Sequence, residues 1–208
     1  MLPAMPASEL LLVRHGETLG QSSIRLYGAT DVGLSPEGEA QMAATGRVLA
    51  GLHFDRVLAS PLQRARRSAE VLLAHVPHPA ITIEPVEAFR EVDFGRWEGW
   101  TWAEVAARDP EEHRRFAELG LAFRYPEGEA RRDFFARVRA GVPAIEQALA
   151  SACERVLVVA HKGVIKAIVA ALLESEVRDD VELPLGSVHR FTRVNGRWQA
   201  HDSIWNDE

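Results

Sequence analysis

Eight histidines are spread along the chain, and two of them stand at the abrupt ends of apolar runs. His15 follows Leu10-Leu11-Leu12-Val13 and a single arginine, and His161 directly follows Val156-Leu157-Val158-Val159-Ala160. Each lies within two residues of a glycine, Gly16 or Gly163, where backbone and ligand approach closely. Arg14 sets a permanent cation beside the His15 imidazole, which favours the neutral ring and leaves a lone pair for nucleophilic attack. The same guanidinium can hold a phosphate through its planar fork. Arg64 lies just beyond a third apolar run, Val57-Leu58-Ala59, and offers a second fork. The positive end of a helix starting at Ser60-Pro61 adds to it. His53, His75, His78, His113, His189 and His201 fall in polar loops, near helix ends or on hairpin positions, and are read as surface or packing residues.

The elements that must position these groups follow from the same runs. Three short, continuous apolar stretches read as strands buried on both faces of a parallel sheet. Between them lie helical patterns. Ser35-Pro36 is an N-cap followed by a first-turn proline, with Ala40, Ala43, Ala44, Val48 and Leu49 as the apolar face, stopping at Gly51. Ser60-Pro61 repeats the start signal, with Leu62, Ala65, Ala69, Leu72, Leu73 and Val76 facing the core. A longer helix is expected over about Ala130 to Ser151, kinked at Pro143, and another over Gly163 to Leu173. Asn195-Gly196 between Val188–Val194 and Trp198–His201 predicts a two-residue hairpin turn. Strands alternating with helices imply a three-layer α/β/α domain with a mostly parallel central sheet, covering residues 1–208 as one unit. Ligands of such sheets bind beyond the carboxyl ends of the strands, so His15, Arg64 and His161 share one crevice if their strands are neighbours.

Composition narrows the function. A 208-residue chain of 23.0 kDa, 47% hydrophobic and 26% charged, is globular rather than disordered or fibrous. Its net charge of −6 argues against coating nucleic acid, which needs a basic face. The lone Cys153 excludes an intrachain disulfide. The start, Met1 to Glu9, has no basic region, and the apolar run after it is too short for a signal core or a membrane span, so a soluble cytoplasmic protein is expected. Lys162 and Lys166 are the only lysines among 24 basic side chains. No spacing of histidines and carboxylates offers a metal-ligand set.

Four motifs stand in order along the chain: Leu12-Val13-Arg14-His15-Gly16-Glu17-Thr18, Ser60-Pro61-Leu62-Gln63-Arg64-Ala65, Arg90-Glu91-Val92-Asp93-Phe94-Gly95-Arg96-Trp97-Glu98-Gly99 and Val158-Val159-Ala160-His161-Lys162-Gly163-Val164, with Gly28-Ala29-Thr30-Asp31 and Leu34-Ser35-Pro36-Glu37-Gly38 between the first two. In order and spacing they resemble the histidine phosphatase superfamily, the phosphoglycerate-mutase-like family, in its cytosolic phosphatase branch. The resemblance implies that His15 is the nucleophile forming a phosphohistidine, that Arg14, Arg64 and His161 hold the phosphate, and that Glu91 is the general acid. A carboxyl in that role needs a raised pKa, so Glu91 should be less exposed than Glu87, Asp93 and Glu98. The scheme needs no metal or cofactor. It also suggests Gln21, Arg25, Gly28 and Lys162 as further substrate contacts.

The chain departs from the family at three places. Gln21 stands where asparagine is common, Lys162 where glycine usually follows the second histidine, and Tyr125-Pro126-Glu127-Gly128-Glu129-Ala130 lacks the serine of the corresponding element. Lys162 either reaches the phosphate pocket or pairs with a local carboxylate. A substrate lid is expected over about residues 100–130, with Trp100, Trp102, Phe116, Phe123 and Tyr125 forming either an apolar substrate wall or core packing. The expected activity is hydrolysis of a small phosphorylated metabolite, of sugar phosphate or ribazole phosphate type. The alternatives are mutase-type phosphoryl transfer, which Arg114-Arg115 and Arg131-Arg132 keep open, and a non-catalytic phospholigand-binding protein. A homodimer is a generic expectation.

Overall fold

In the computed structural model, which describes residues 8–77, 80–150, 154–202 and 205, a six-stranded sheet runs through the centre in the order β3-β2-β4-β1-β5-β6. Its strands are β1 (Ser8–Arg14), β2 (Arg56–Ala59), β3 (Ile83–Pro85), β4 (Arg155–Ala160), β5 (Val188–Val194) and β6 (Arg197–Ala200). The first four run parallel, and β5 and β6 close one edge as an antiparallel hairpin. Asn195 and Gly196 form its turn with φ of 50° and 81°, the left-handed pair that the strand twist selects. Cys153, His78 and the end of the long helix at Ser151 lie outside the described residues.

The three predicted strands are neighbours, β2-β4-β1. Alternate residues of each strand feed two cores. Leu11, Val13, Val57, Ala59, Leu157 and Val159 pack under α1 (Pro36–Val48) and α2 (Gln63–Leu73). Leu10, Leu12, Leu58, Val156, Val158 and Ala160 pack under α5 (Arg131–Ala150) and α6 (Lys162–Leu172). Burial on both faces explains why these strands read as unbroken apolar runs. Two short helices, α3 (Trp102–Arg108) and α4 (Pro110–Leu119), follow the Glu91 segment. α5 is one helix through Pro143.

Two sequence expectations are corrected. The apolar face of α1 is Gly38, Met42, Thr45, Gly46 and Leu49, whereas Ala40, Ala44 and Val48 are exposed. Backbone closeness selects the glycines: a Cβ on Gly38 would meet the Glu17 carbonyl at 2.0 Å, and one on Gly46 the Leu72 carbonyl at 2.5 Å. Ser60 does not cap α2, which starts at Gln63. The Gln63 N–H is satisfied instead by Asp31 Oδ1 at 2.8 Å, from a loop 32 residues upstream.

Candidate active site

Register brings the strand ends to one level. Val13 and Ala59 both pair with Val159, the His15 N–H donates to the Ala160 carbonyl and the Ser60 N–H to that of Val159. His15, Ser60 and His161 therefore leave the sheet side by side, and the His15 and His161 rings meet edge to face with centroids 5.0 Å apart.

The His15 Nδ1 lies 2.7 Å from the Gly16 carbonyl, which only accepts, so Nδ1 carries the proton and Nε2 the lone pair. Burial first, then the Arg64 and Arg14 cations, hold this imidazole well below its ordinary pKa. It is neutral throughout the neutral range. Arg14 donates to the Leu183 carbonyl, but its Nε–H is buried without an acceptor among the described residues. A buried donor left unpaired is unfavourable unless a ligand supplies the acceptor, and an anionic oxygen does so best.

Arg64 and His161 sit behind His15 rather than in the open cleft. Arg64 is 0% exposed and donates to the carbonyls of Thr30, Tyr27 and Gly28 at 2.9, 3.1 and 2.7 Å. Its Nε–H reaches His161 Nδ1 at 3.3 Å, and that ring's Nε2 is 2.7 Å from Ser60 Oγ. Four of the five guanidinium N–H groups are thus engaged, so the free second fork expected of Arg64 is corrected to a buried charge with one donor to spare. Because Arg64 donates to Nδ1, His161 carries its proton on Nε2 and gives it to Ser60. Burial, followed by Arg64, also keeps His161 neutral.

Glu91 is buried, whereas Glu87 is exposed and Asp93 and Glu98 are partly so, as expected for the acid. Desolvation raises its pKa, against the lowering effect of hydrogen bonds from the Val92 and Gly163 N–H groups at 3.0 and 3.1 Å. Only glycine at 163 admits this approach, since a Cβ there would meet Glu91 Oε1 at 2.6 Å.

Between these groups a cleft of about 320 Å³ opens, bordered by Arg14, His15 and Glu91 on its floor and by Ser22, Ser23, Ile24, Arg25, Phe94, Trp102, Lys162 and Glu182 on its walls. Of the further expected contacts, Arg25 borders the cleft but pairs with Glu104 at 3.0 Å and the Gly99 carbonyl at 2.8 Å. Lys162 pairs with Glu182 at 2.8 Å, the second of its two expected fates. Gln21 does not border the cleft; it is an exposed turn residue at φ 63°, a conformation that asparagine tolerates better than glutamine. Gly28 is also structural: its N–H goes to Glu98, its carbonyl to Arg64, and a Cβ would meet the Val92 carbonyl at 1.7 Å. Gly28→Ala should therefore lower stability by about 3 kcal/mol through overpacking. Thermal denaturation should show a midpoint about 6–12 °C lower, and an unchanged midpoint contradicts this close approach.

Of the five lid aromatics only Trp102 borders the cleft, joined by Phe94; Phe116, Phe123 and Tyr125 pack instead around the buried Trp97. No sequence signal marks Ser22, Ser23 or Glu182, and Ser60 reads from sequence only as a helix start, not as the partner of His161. Arg114, Arg115, Arg131 and Arg132 all pair with acids (Glu118, Glu112, Asp179 and Asp133) and none borders the cleft.

Residues 10–206 match the model of the histidine phosphatase superfamily, branch 1, and the chain belongs to that family. It is 36% identical over 169 residues to the bifunctional protein Rv2228c of Mycobacterium tuberculosis, covering 81% of this chain and 45% of that one. The chain thus spans about half the length of that relative. It is 31% identical over 184 residues to the 2,3-bisphosphoglycerate-dependent phosphoglycerate mutase 2 of Gloeobacter violaceus, covering 84% of this chain and 80% of that one. Among solved structures, mycobacterial glucosyl-3-phosphoglycerate phosphatase Rv2419c superposes with a TM-score of 0.77 at 28% identity, covering 94% of this chain and 97% of that one. Among the described residues no helix is long and apolar enough to cross a membrane.

Proposed function

We propose that this chain is a metal-independent phosphomonoesterase that works through a phosphohistidine on a small phosphorylated metabolite, of sugar phosphate or ribazole phosphate type. The observation that carries it is the tautomer of His15: with Nδ1–H held by the Gly16 carbonyl, Nε2 keeps its lone pair, and Arg14 and Glu91 border the same cleft. Nε2 attacks phosphorus in line, and the P–O bond to the alcohol breaks. The departing oxygen takes the proton of Glu91, whose burial keeps the carboxyl protonated above its ordinary range. Water then attacks the phosphohistidine, its proton passes to the Glu91 carboxylate, and phosphate and neutral His15 are released. Arg14 and the buried Arg64 charge stabilise the phosphoryl oxygens in both steps, the part that a metal ion plays in other phosphatases.

The test is release of phosphate from nitrophenyl phosphate in EDTA. Sustained turnover is expected. A strict need for a divalent ion, or faster transfer to 3-phosphoglycerate than to water, contradicts this activity.

A further inference from the structure

Resting on the phosphatase activity proposed above, we infer that the preferred substrate is a phosphate monoester whose alcohol carries an aromatic or apolar group and no second anion. Two independent features of the cleft walls lead there.

The first is charge. Outside the floor, the cations bordering the cleft are Arg25 and Lys162, and each is already neutralised, Arg25 by Glu104 at 3.0 Å and Lys162 by Glu182 at 2.8 Å. A carboxylate or second phosphate on the leaving group would meet cations whose charge is already cancelled, with Glu104 or Glu182 beside them to repel it, and Glu182 itself borders the cleft. Among the described residues the net positive charge at the cleft lies on Arg14 and on Arg64 behind it, enough for one phosphoryl group.

The second is apolar surface. Ile24 is 58% exposed and Trp102 is 41% exposed, although both are large hydrophobic residues and both border the cleft. The Trp102 ring is held by Trp97, Phe116 and His113, with centroids 5.9, 5.0 and 6.3 Å away. Its exposed part is a fixed apolar surface, which loses little conformational freedom on binding. Phe94 extends the apolar wall and is itself held edge-on by Tyr125 at 5.1 Å. A volume of about 320 Å³ is at the small end for ligand sites and admits a ring beside the phosphate.

Three alkyl esters test this, since all need the same acid: benzyl phosphate, glycerol 2-phosphate and 3-phosphoglycerate. Benzyl phosphate should exceed glycerol 2-phosphate in kcat/KM by about tenfold or more, as for an apolar group gaining a pocket, with 3-phosphoglycerate lowest. Trp102→Ala should bring the benzyl to glycerol ratio to near unity through KM, while Trp102→Phe retains most of it. Glu182→Gln, by releasing Lys162, should improve 3-phosphoglycerate relative to benzyl phosphate. Turnover with 3-phosphoglycerate preferred, or a Trp102→Ala variant that slows both neutral esters equally, overturns the inference and leaves the phosphatase activity standing. Failure to hydrolyse any of the three while nitrophenyl phosphate is turned over overturns this inference alone, and failure with nitrophenyl phosphate as well overturns both.

Discussion

Replacing His15 with alanine removes hydrolysis of aryl and alkyl phosphates alike, by roughly 10⁴-fold or more, as expected when a nucleophile rather than a binding group is lost. The fold should survive. His15 is a neutral, buried ring that bonds, among the described residues, to the adjacent Gly16 carbonyl, so its removal leaves no buried charge unpaired. Circular dichroism and thermal midpoint therefore serve as controls, and near-wild-type folding with residual activity above 1% of wild type, on the order of a binding-group loss, would reject His15 as nucleophile. Both His15 and His161 have lowered pKa values through burial, which also fixes the sign of the acid response. The unfolded chain takes up protons below about pH 6.5 and the folded chain does not, so stability is lost as pH falls through that value.

Glu91→Gln should separate substrates by leaving group. Formation of the phosphohistidine from an alkyl phosphate falls by about 10²–10⁴-fold, because the alkoxide cannot depart without a proton. From nitrophenyl phosphate the same step changes little, since nitrophenolate leaves unaided. Hydrolysis of the phosphohistidine still needs the Glu91 carboxylate, so the variant should show a burst of nitrophenol followed by slow turnover. Equal losses in the first step for both esters would rule out Glu91 as the acid. The pH dependence follows from the directions of the shifts. With alkyl esters, kcat/KM of the wild type declines as pH rises through the raised Glu91 pKa and, on the acid side, as pH falls through the lowered His15 pKa. Glu91→Gln should lack the alkaline limb.

Much of this site was legible because strand ends in a parallel sheet are legible. The runs before His15, Ser60 and His161 are buried on both faces, so their abrupt polar ends mark the crevice without any knowledge of pairing. What was hidden depends on partners distant in sequence. Ser60 carries every sign of a helix cap, yet its hydroxyl goes to His161, 101 residues away, and Asp31 takes over the cap. Arg64 lies on a helix whose neighbours Arg66 and Arg67 are exposed, and only the Tyr27, Gly28 and Thr30 carbonyls explain its burial. Glu98 binds the N–H groups of Gly28, Ala29 and Phe94 and thereby shapes the loop that holds Arg64, a role no local pattern announces. The inward face of α1 is hidden from a hydrophobicity pattern because close backbone approach at Gly38 and Gly46 sets it.

The central claim, transfer of the phosphoryl group to His15 Nε2, is tested most directly by rapid acid-free quenching of the enzyme with a ³²P-labelled nitrophenyl phosphate. The label should be stable to alkali and labile to acid, map to the peptide holding His15, and accumulate in Glu91→Gln, where its hydrolysis is slowed. An acid-stable label, a label on another residue, or none during a nitrophenol burst would contradict it.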